Sequence, residues 1–339
     1  MIPVRSNTRR FARWPLAVCL GLVLLAKAVP ADPGETNAAP AERELRVAFS
    51  AQIFREMSPA DGLAAAKVWL QSLTKNGPIS EHPRVFLIDG FPELEKAMRD
   101  HAFDVVVLLS MDYLKLEPSG DLIPWFTYRR GSTNWEEQVL ITRKDGPAAL
   151  AQLRGKRLTV YGGEQAEIGK LWLDTQLLQQ DQPPLTDFFS SITVNSKPIK
   201  VVLPVFFGQA DACVINRDAF EVMGELNPQV REKLAVRAVS QPMLAVALCG
   251  HRRSDPEVLS RLHLAFATAQ DDPQIRQVFA NYGIRRFDPI DIHSFDNLRR
   301  LIRQHDELSR QKTDHPNTAL LTKPAAGRGS NLKPADGQP

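Results

Sequence analysis

Two stretches of this chain, Val85-Phe-Leu-Ile88 and Phe103-Asp-Val-Val-Val-Leu-Leu109, run apolar without the in-out alternation of a half-solvated strand. Strands of that kind are covered on both faces, and covering both faces of a sheet takes parallel strands joined by helical crossovers. The neighbouring pattern supplies the crossovers. Leu45-Arg-Val-Ala-Phe49 reads as a first strand. Asp61–Thr74 reads as a helix with Leu63, Ala66, Leu70 and Leu73 on one face, and Pro92–Arg99 as a second helix. Residues 45–110 therefore predict βαβαβ, a doubly wound α/β unit.

A second set of alternating elements follows. Strands are expected at Gln138–Thr142, Arg157–Tyr161, Ile192–Val194, Asp211–Ile215 and Met243–Leu248. Helices are expected at Ala148–Leu153, Gln165–Gln179, Pro198–Phe207, Asp255–Ala269 and 273–282. The first set is one helix layer short, and the last helices need a surface to cover. The chain is thus expected to cross to a second lobe near residue 138 and return near 245, a two-crossing hinge. The expected division is lobe one at 44–137 plus 245–290, lobe two at 138–244, a C-terminal helix at 291–310, and a disordered tail at 311–339.

The front of the chain has a separate purpose. Arg5, Arg9, Arg10 and Arg13 precede the apolar run Pro15–Ala26 and the small-residue stretch ending at Ala31. This is the three-part pattern of a secretory signal, cleaved near Ala31 and followed by a linker at 32–43. About twelve apolar residues are too few to span a bilayer comfortably. Five of the 42 basic residues and none of the 39 acidic ones lie in residues 1–31, so the remainder carries a net charge of −2. No basic stripe is left to argue for nucleic acid. The expected location is the periplasm, and the expected state a monomer. Cys213 and Cys249 remain after cleavage, and two buried thiols are the expectation rather than a disulfide.

Particular segments carry a resemblance. Leu150–Tyr161, with Arg154-Gly-Lys-Arg157 before a strand, is similar to a recurring segment of type II periplasmic solute-binding proteins. So are Phe207-Gly-Gln-Ala-Asp-Ala-Cys-Val-Ile-Asn216, the return Pro228–Leu234 followed by Ser240-Gln-Pro242, and Tyr113 after Val105–Ser110. In this order, over roughly residues 44–285, they most resemble the phosphate/phosphite/phosphonate-binding component of ABC transporters. The resemblance implies a two-lobed fold that closes on a small ligand. It also implies a permease or membrane sensor as partner. One departure stands out. Members usually carry Ser/Thr-Ser-Gly at the start of the helix after the Arg157–Tyr161 strand, where backbone N–H groups and hydroxyls hold an oxyanion. Aligned on Gly169, this chain reads Ala166-Glu167-Ile168. Glu164 and Glu167 are then either helix-start residues facing solvent or part of an altered pocket that recognises an amine.

In open α/β sheets, ligands bind beyond the carboxyl ends of strands. That topology nominates Ser50, Gln52, Ser110 and Tyr113 in lobe one, and Gly163, Gln165, Asn216 and Arg217 in lobe two. Arg217 is the candidate for a bidentate anion contact, and Asp218 for an N-cap. Phe49, Phe54 and Trp125 are cleft candidates that aromatic statistics favour as core. The seven histidines show no ligand spacing, and Cys-x-x-Cys, Gly-x-Ser-x-Gly and P-loop patterns do not occur. No metal, cofactor or catalytic residue is expected. The two alternatives to a transport-type receptor are an orphan module that binds a protein partner and a secreted enzyme on the same fold.

Overall fold

The computed structural model describes residues 44–54, 58–74, 83–129, 133–162, 166–281 and 283–314. The expected signal and linker, and the tail beyond Asp314, lie outside them, as do Gly163, Glu164 and Gln165.

Lobe one starts with β1 (Arg46–Ser50), α1 (Pro59–Thr74), β2 (Arg84–Ile88), α2 (Phe91–Arg99) and β3 (Val105–Leu109). β1 pairs in parallel with both β2 and β3, the expected βαβαβ arrangement. α3 (Ser110–Leu116) and β4 (Leu122–Arg129) follow. The chain then leaves through β5 (Trp135–Glu136) into lobe two: β6 (Gln138–Arg143), β7 (Arg157–Tyr161), α4 (Ala166–Gln179), α5 (Leu185–Phe188), β8 (Ser191–Asn195), α6 (Pro198–Phe206), β9 (Ala212–Asn216), α7 (Arg217–Leu226), α8 (Pro228–Lys233) and β10 (Leu234–Val239). It returns through β11 (Met243–Leu244) to β12 (Val246–His251), α9 (Pro256–Thr268), α10 (Pro273–Ala280), β13 (Arg286–Pro289) and α11 (Asp296–Asp314).

The first sheet has the order β13-β4-β12-β3-β1-β2, with β12, β4 and β13 antiparallel. The second has the order β10-β6-β9-β7-β8. Each sheet is covered on both faces. On one face of the first, α1, α9 and α10 bring Trp69, Leu262 and Phe279 to the buried side chains of β1 and β3. The Trp69 ring meets Phe279 edge-on at 5.2 Å, a favoured aromatic geometry. The other face carries α2 and α3. In lobe two, α4, α5 and α11 cover one face and α6 and α7 the other. The returning helices α9 and α10 thus supply the layer that residues 45–110 lack. Phe49, Phe54 and Trp125 all pack in or against the first core.

Several elements differ from expectation. Met243–Leu248 is not one strand but two, because the chain changes sheets at Ala245. The Ala148–Leu153 helix is a single 3-10 turn, Leu150–Leu153. Tyr113, given no element by the sequence pattern, lies in a helix, α3. α11 extends to Asp314, so the first four residues assigned to the tail are helical. β4 carries Pro124, which discourages a strand reading, but Pro124 sits where the β4–β12 register shifts. A bulge is a place where proline is tolerated inside a sheet.

At the foot of lobe one, away from the carboxyl ends of its parallel strands, lies a polar knot. The buried Asp104 carboxylate accepts from the Arg46 backbone N–H at 2.9 Å, from its guanidinium at 2.9 and 3.2 Å, and from Ser254 Oγ at 2.8 Å. His101 Nε2 lies 2.8 Å from Ser254 Oγ, and its ring is 4.5 Å from that of His251. The Arg253 backbone N–H donates to His251 Nδ1 at 3.2 Å, which leaves Nε2 as donor to the Met98 carbonyl at 3.0 Å. That pattern is a neutral imidazole.

Burial depresses both histidine pKa values, and the adjacent imidazole and Arg46 depress that of His101 further. The unfolded chain therefore takes up these protons first as pH falls. The knot's stabilisation is complete above the ordinary histidine value of 6.5 and is lost as pH falls toward the folded values. Urea unfolding at pH 7.5 and 5.5 checks this. The midpoint is expected to drop at pH 5.5 and to drop less in a His251→Gln variant; equal slopes in the two proteins would refute the assignment.

Candidate functional site

The two lobes are joined by a short ribbon. β5 and β11 pair antiparallel, Trp135 with Leu244 and Glu136 with Met243. A second clasp lies beside them: the Gln138 N–H donates to Ser240 Oγ, and the Ser240 N–H to the Gln138 carbonyl, each at 2.8 Å. This ribbon is where the chain crosses between the lobes.

From lobe one, Ser110 reaches the ribbon at the carboxyl end of β3. Its backbone N–H donates to the Ala245 carbonyl at 2.8 Å. Its side chain is fully buried, and Oγ has no hydrogen-bond partner. From lobe two, Asn216 reaches the ribbon at the carboxyl end of β9. Its Nδ2 donates to Glu136 Oε2 at 3.3 Å, while Oδ1 is buried and also unpartnered. Buried polar atoms are almost always satisfied, so each exception calls for an explanation. Here two exceptions sit at the same ribbon, one from each lobe.

The other nominated residues distribute as follows. Ser50 ends β1 beside β3 and is buried; Gln52 is half-buried in a 3-10 turn, Ala51–Phe54. Tyr113 is turned into the core of lobe one, stacked on Phe295 at 4.6 Å, with its hydroxyl 3.5 Å from Glu117. Burial raises its pKa above the ordinary tyrosine value. Arg217 is engaged: its guanidinium holds Glu137 at 3.0 Å. Asn216, not Asp218, occupies the N-cap position of α7, and it makes no side-chain cap bond there. Gly163 and Gln165 lie outside the described residues. At the start of α4, Ala166 is buried, while Glu167 faces solvent and pairs with Lys170 at 3.3 Å. Gly162 has a steric cause, since a Cβ there would lie 2.6 Å from Val194 Cγ1.

Sequence reading missed Glu136, Glu137, Gln138, Ser240 and Ala245. Strands of two residues carry no periodicity, so only the expected crossings near 138 and 245 pointed to them. Among the described residues no group of His, Cys, Asp and Glu is arranged to hold a metal ion, and no helix is long and apolar enough to cross a membrane.

A family model described as "ABC transporter, phosphonate, periplasmic substrate-binding protein" matches residues 54–295. The chain belongs to this family of phosphonate-binding periplasmic substrate-binding proteins. Solved structures share the fold at low identity. A binding-protein component of an ABC phosphonate transporter from Pseudomonas aeruginosa aligns with a TM-score of 0.61 and 14% identity, over 81% of this chain and 90% of that one. PhnD1 from Prochlorococcus marinus, in complex with methylphosphonate, aligns at 0.56 and 13%, over 78% and 99%. XAC2383 from Xanthomonas citri, bound to chloride, aligns at 0.56 and 17%, over 80% and 99%. No curated protein matches the sequence. Phosphonate-binding proteins of this type are two-lobed periplasmic receptors that serve ABC uptake; the family is one of substrate-binding proteins, not of enzymes.

Proposed function

We propose that this phosphonate-binding protein captures a small, singly charged phosphonate-like oxyanion on the hinge ribbon and presents it to an ABC permease. The observation that carries this is the unpartnered, fully buried Ser110 hydroxyl. An O–H with no acceptor has a free hydrogen bond to give, and a phosphonate oxygen is the strong acceptor that would take it. Asn216 Oδ1 lacks a donor in the same way. A monoprotonated phosphonate offers both groups: charged oxygens toward Ser110 and a P–O–H toward Asn216. The Glu136 carboxylate, bonded to Asn216, disfavours a fully ionised ligand. Ser50 and Gln52 at the neighbouring strand end complete the described part of the proposed site, and Gly163 and Gln165 are proposed for it from the sequence alone. Tyr113 and Arg217 act behind it, through the core and through Glu137. PhnD1, which shares the fold, holds methylphosphonate. The proposed working form is a monomer released by cleavage near Ala31.

A second reading rests on Ala166-Glu167-Ile168 at the start of α4, where hydroxyls are expected. It makes the chain an orphan module whose partner is a protein. Thermal unfolding with methylphosphonate, phosphate, phosphite and 2-aminoethylphosphonate separates the two. A ligand at 100 times its dissociation constant adds about 2.7 kcal/mol. Stabilisation by methylphosphonate is the expected result. Stabilisation by the amino compound alone would bring the glutamates into the pocket, and no stabilisation by any of the four would favour the orphan module.

A further inference from the structure

Lobe two carries a groove that starts at Tyr161 and Asp218, beside the nominated strand ends, and runs away from them along α7 to Leu226. It is a groove of about 880 Å3 between α6 and α7, bounded on its far side by Gly283 and Arg285 of lobe one. Its walls hold large apolar side chains in the open: Ile199, Val222 and Leu226 are 54%, 52% and 82% exposed. Singly exposed apolar residues need no explanation, but a contiguous set rimmed by charge marks an interaction surface.

The sequence of α7 shows how the groove arises. Phe220 and Gly224 point into the core of lobe two. Ala219, Val222, Met223 and Leu226, spaced i, i+3, i+4 and i+7, line the groove; Ala219 and Met223 also pack against the core of lobe two, while Val222 and Leu226 stand exposed. Beside it run Asp218, Glu221 and Glu225 at i, i+3 and i+7. Glu225 lies 3.7 Å from Arg231, while Asp218 and Glu221 have no ion-pair partner among the described residues. An ordinary surface helix puts its charges outward and its apolar stripe inward. In α7 the apolar face is widened: Val222 and Leu226 carry it past the core and into the groove, bordered by the acidic edge.

We propose that the groove docks a basic amphipathic helix of a protein partner. An apolar face spaced i, i+3, i+4, i+7 fills a groove of this shape, the general mode of helix-in-groove recognition. Lysines or arginines flanking that face meet Asp218 and Glu221, which gives the charge complementarity that sets specificity and on-rate. α7, at ten residues, is about 15 Å long and matches roughly three turns of a partner helix. Because one wall belongs to lobe one, lobe closure changes the groove's width, and the docked helix senses whether the cleft is closed. This docking does not depend on which ligand the cleft takes.

The test uses the intact protein and a labelled synthetic 18-residue helix with leucine at the i, i+3, i+4, i+7 positions and lysine elsewhere, read by fluorescence anisotropy. Saturable binding is expected. Leu226→Glu or Val222→Glu, both at exposed positions, should weaken it at least tenfold with an unchanged unfolding midpoint. Asp218→Asn with Glu221→Gln should weaken it several-fold and flatten its salt dependence, and a peptide with glutamate in place of lysine should not bind. Binding indifferent to both sets of variants would overturn the proposal. So would a concentration-dependent dimer that Leu226→Glu splits, which would assign the groove to a second copy. Peptide binding that emerges only when residues 315–339 are removed would assign it to the chain's own tail.

Discussion

Replacing Ser110 with alanine is expected to weaken methylphosphonate binding about ten- to a hundredfold while leaving the protein at least as stable. A hydrogen bond to a charged group contributes roughly 1.5–3 kcal/mol, which sets the size of the loss. The stability half of the expectation comes from the unpartnered hydroxyl. Ser110 Oγ is fully buried with nothing to bond, so the empty protein carries its desolvation cost, and alanine removes it. Calorimetric titration alongside urea unfolding reads both halves. A variant that loses stability and keeps its affinity would show that the hydroxyl serves the fold instead.

The second large effect lies at the opposite end of the same strand. Asp104→Ala is expected to destabilise the protein by about 3 kcal/mol, the lower end of the range for breaking a buried ion pair by removing one partner. The lower end applies because the Arg46 side chain is 26% exposed and can recover some hydration. What the variant strands is the Arg46 backbone N–H, its guanidinium and the Ser254 hydroxyl, all of which the carboxylate satisfies. Asp104→Asn keeps one acceptor oxygen and should cost less. Affinity should stay within twofold, because β3, five residues or about 17 Å long, separates Asp104 from Ser110. A large affinity loss in Asp104→Ala would mean that the foot of lobe one and the cleft are coupled.

These two ends of β3 also show what could be read from the chain alone. The strand itself is plain in Val105-Val-Val-Leu-Leu109, since a run buried on both faces needs no partner to declare itself. The return of α9 and α10 follows from the helix layer that residues 45–110 lack. β4 and β10 were not legible. β4 is masked by Pro124 at a register shift, and β10 by Arg237, at the bulge in its pairing with β6, whose guanidinium turns to Thr142 and the Arg143 carbonyl.

At the site, the strand-end rule brought out Ser110 and Asn216. It had no means of separating them from Tyr113, whose ring stacks on Phe295 inside the core of lobe one. Arg217 looked like a free cation because its partner, Glu137, is eighty residues earlier, and only the antiparallel pairing of β6 with β9 brings the two together. Long-range pairings of that kind have no local signature.

The two cysteines have one further consequence. Cys213 lies in β9 and Cys249 in β12, so each sheet holds one thiol, fully buried, unpaired and raised in pKa by burial. A thiol that water cannot reach reacts only when its surroundings open. The labelling rate of each sulfur therefore times the breathing of one sheet and ignores the other. Two native clocks, one per lobe, come with the protein, and a ligand that stiffens a single lobe will slow one of them and leave the other running.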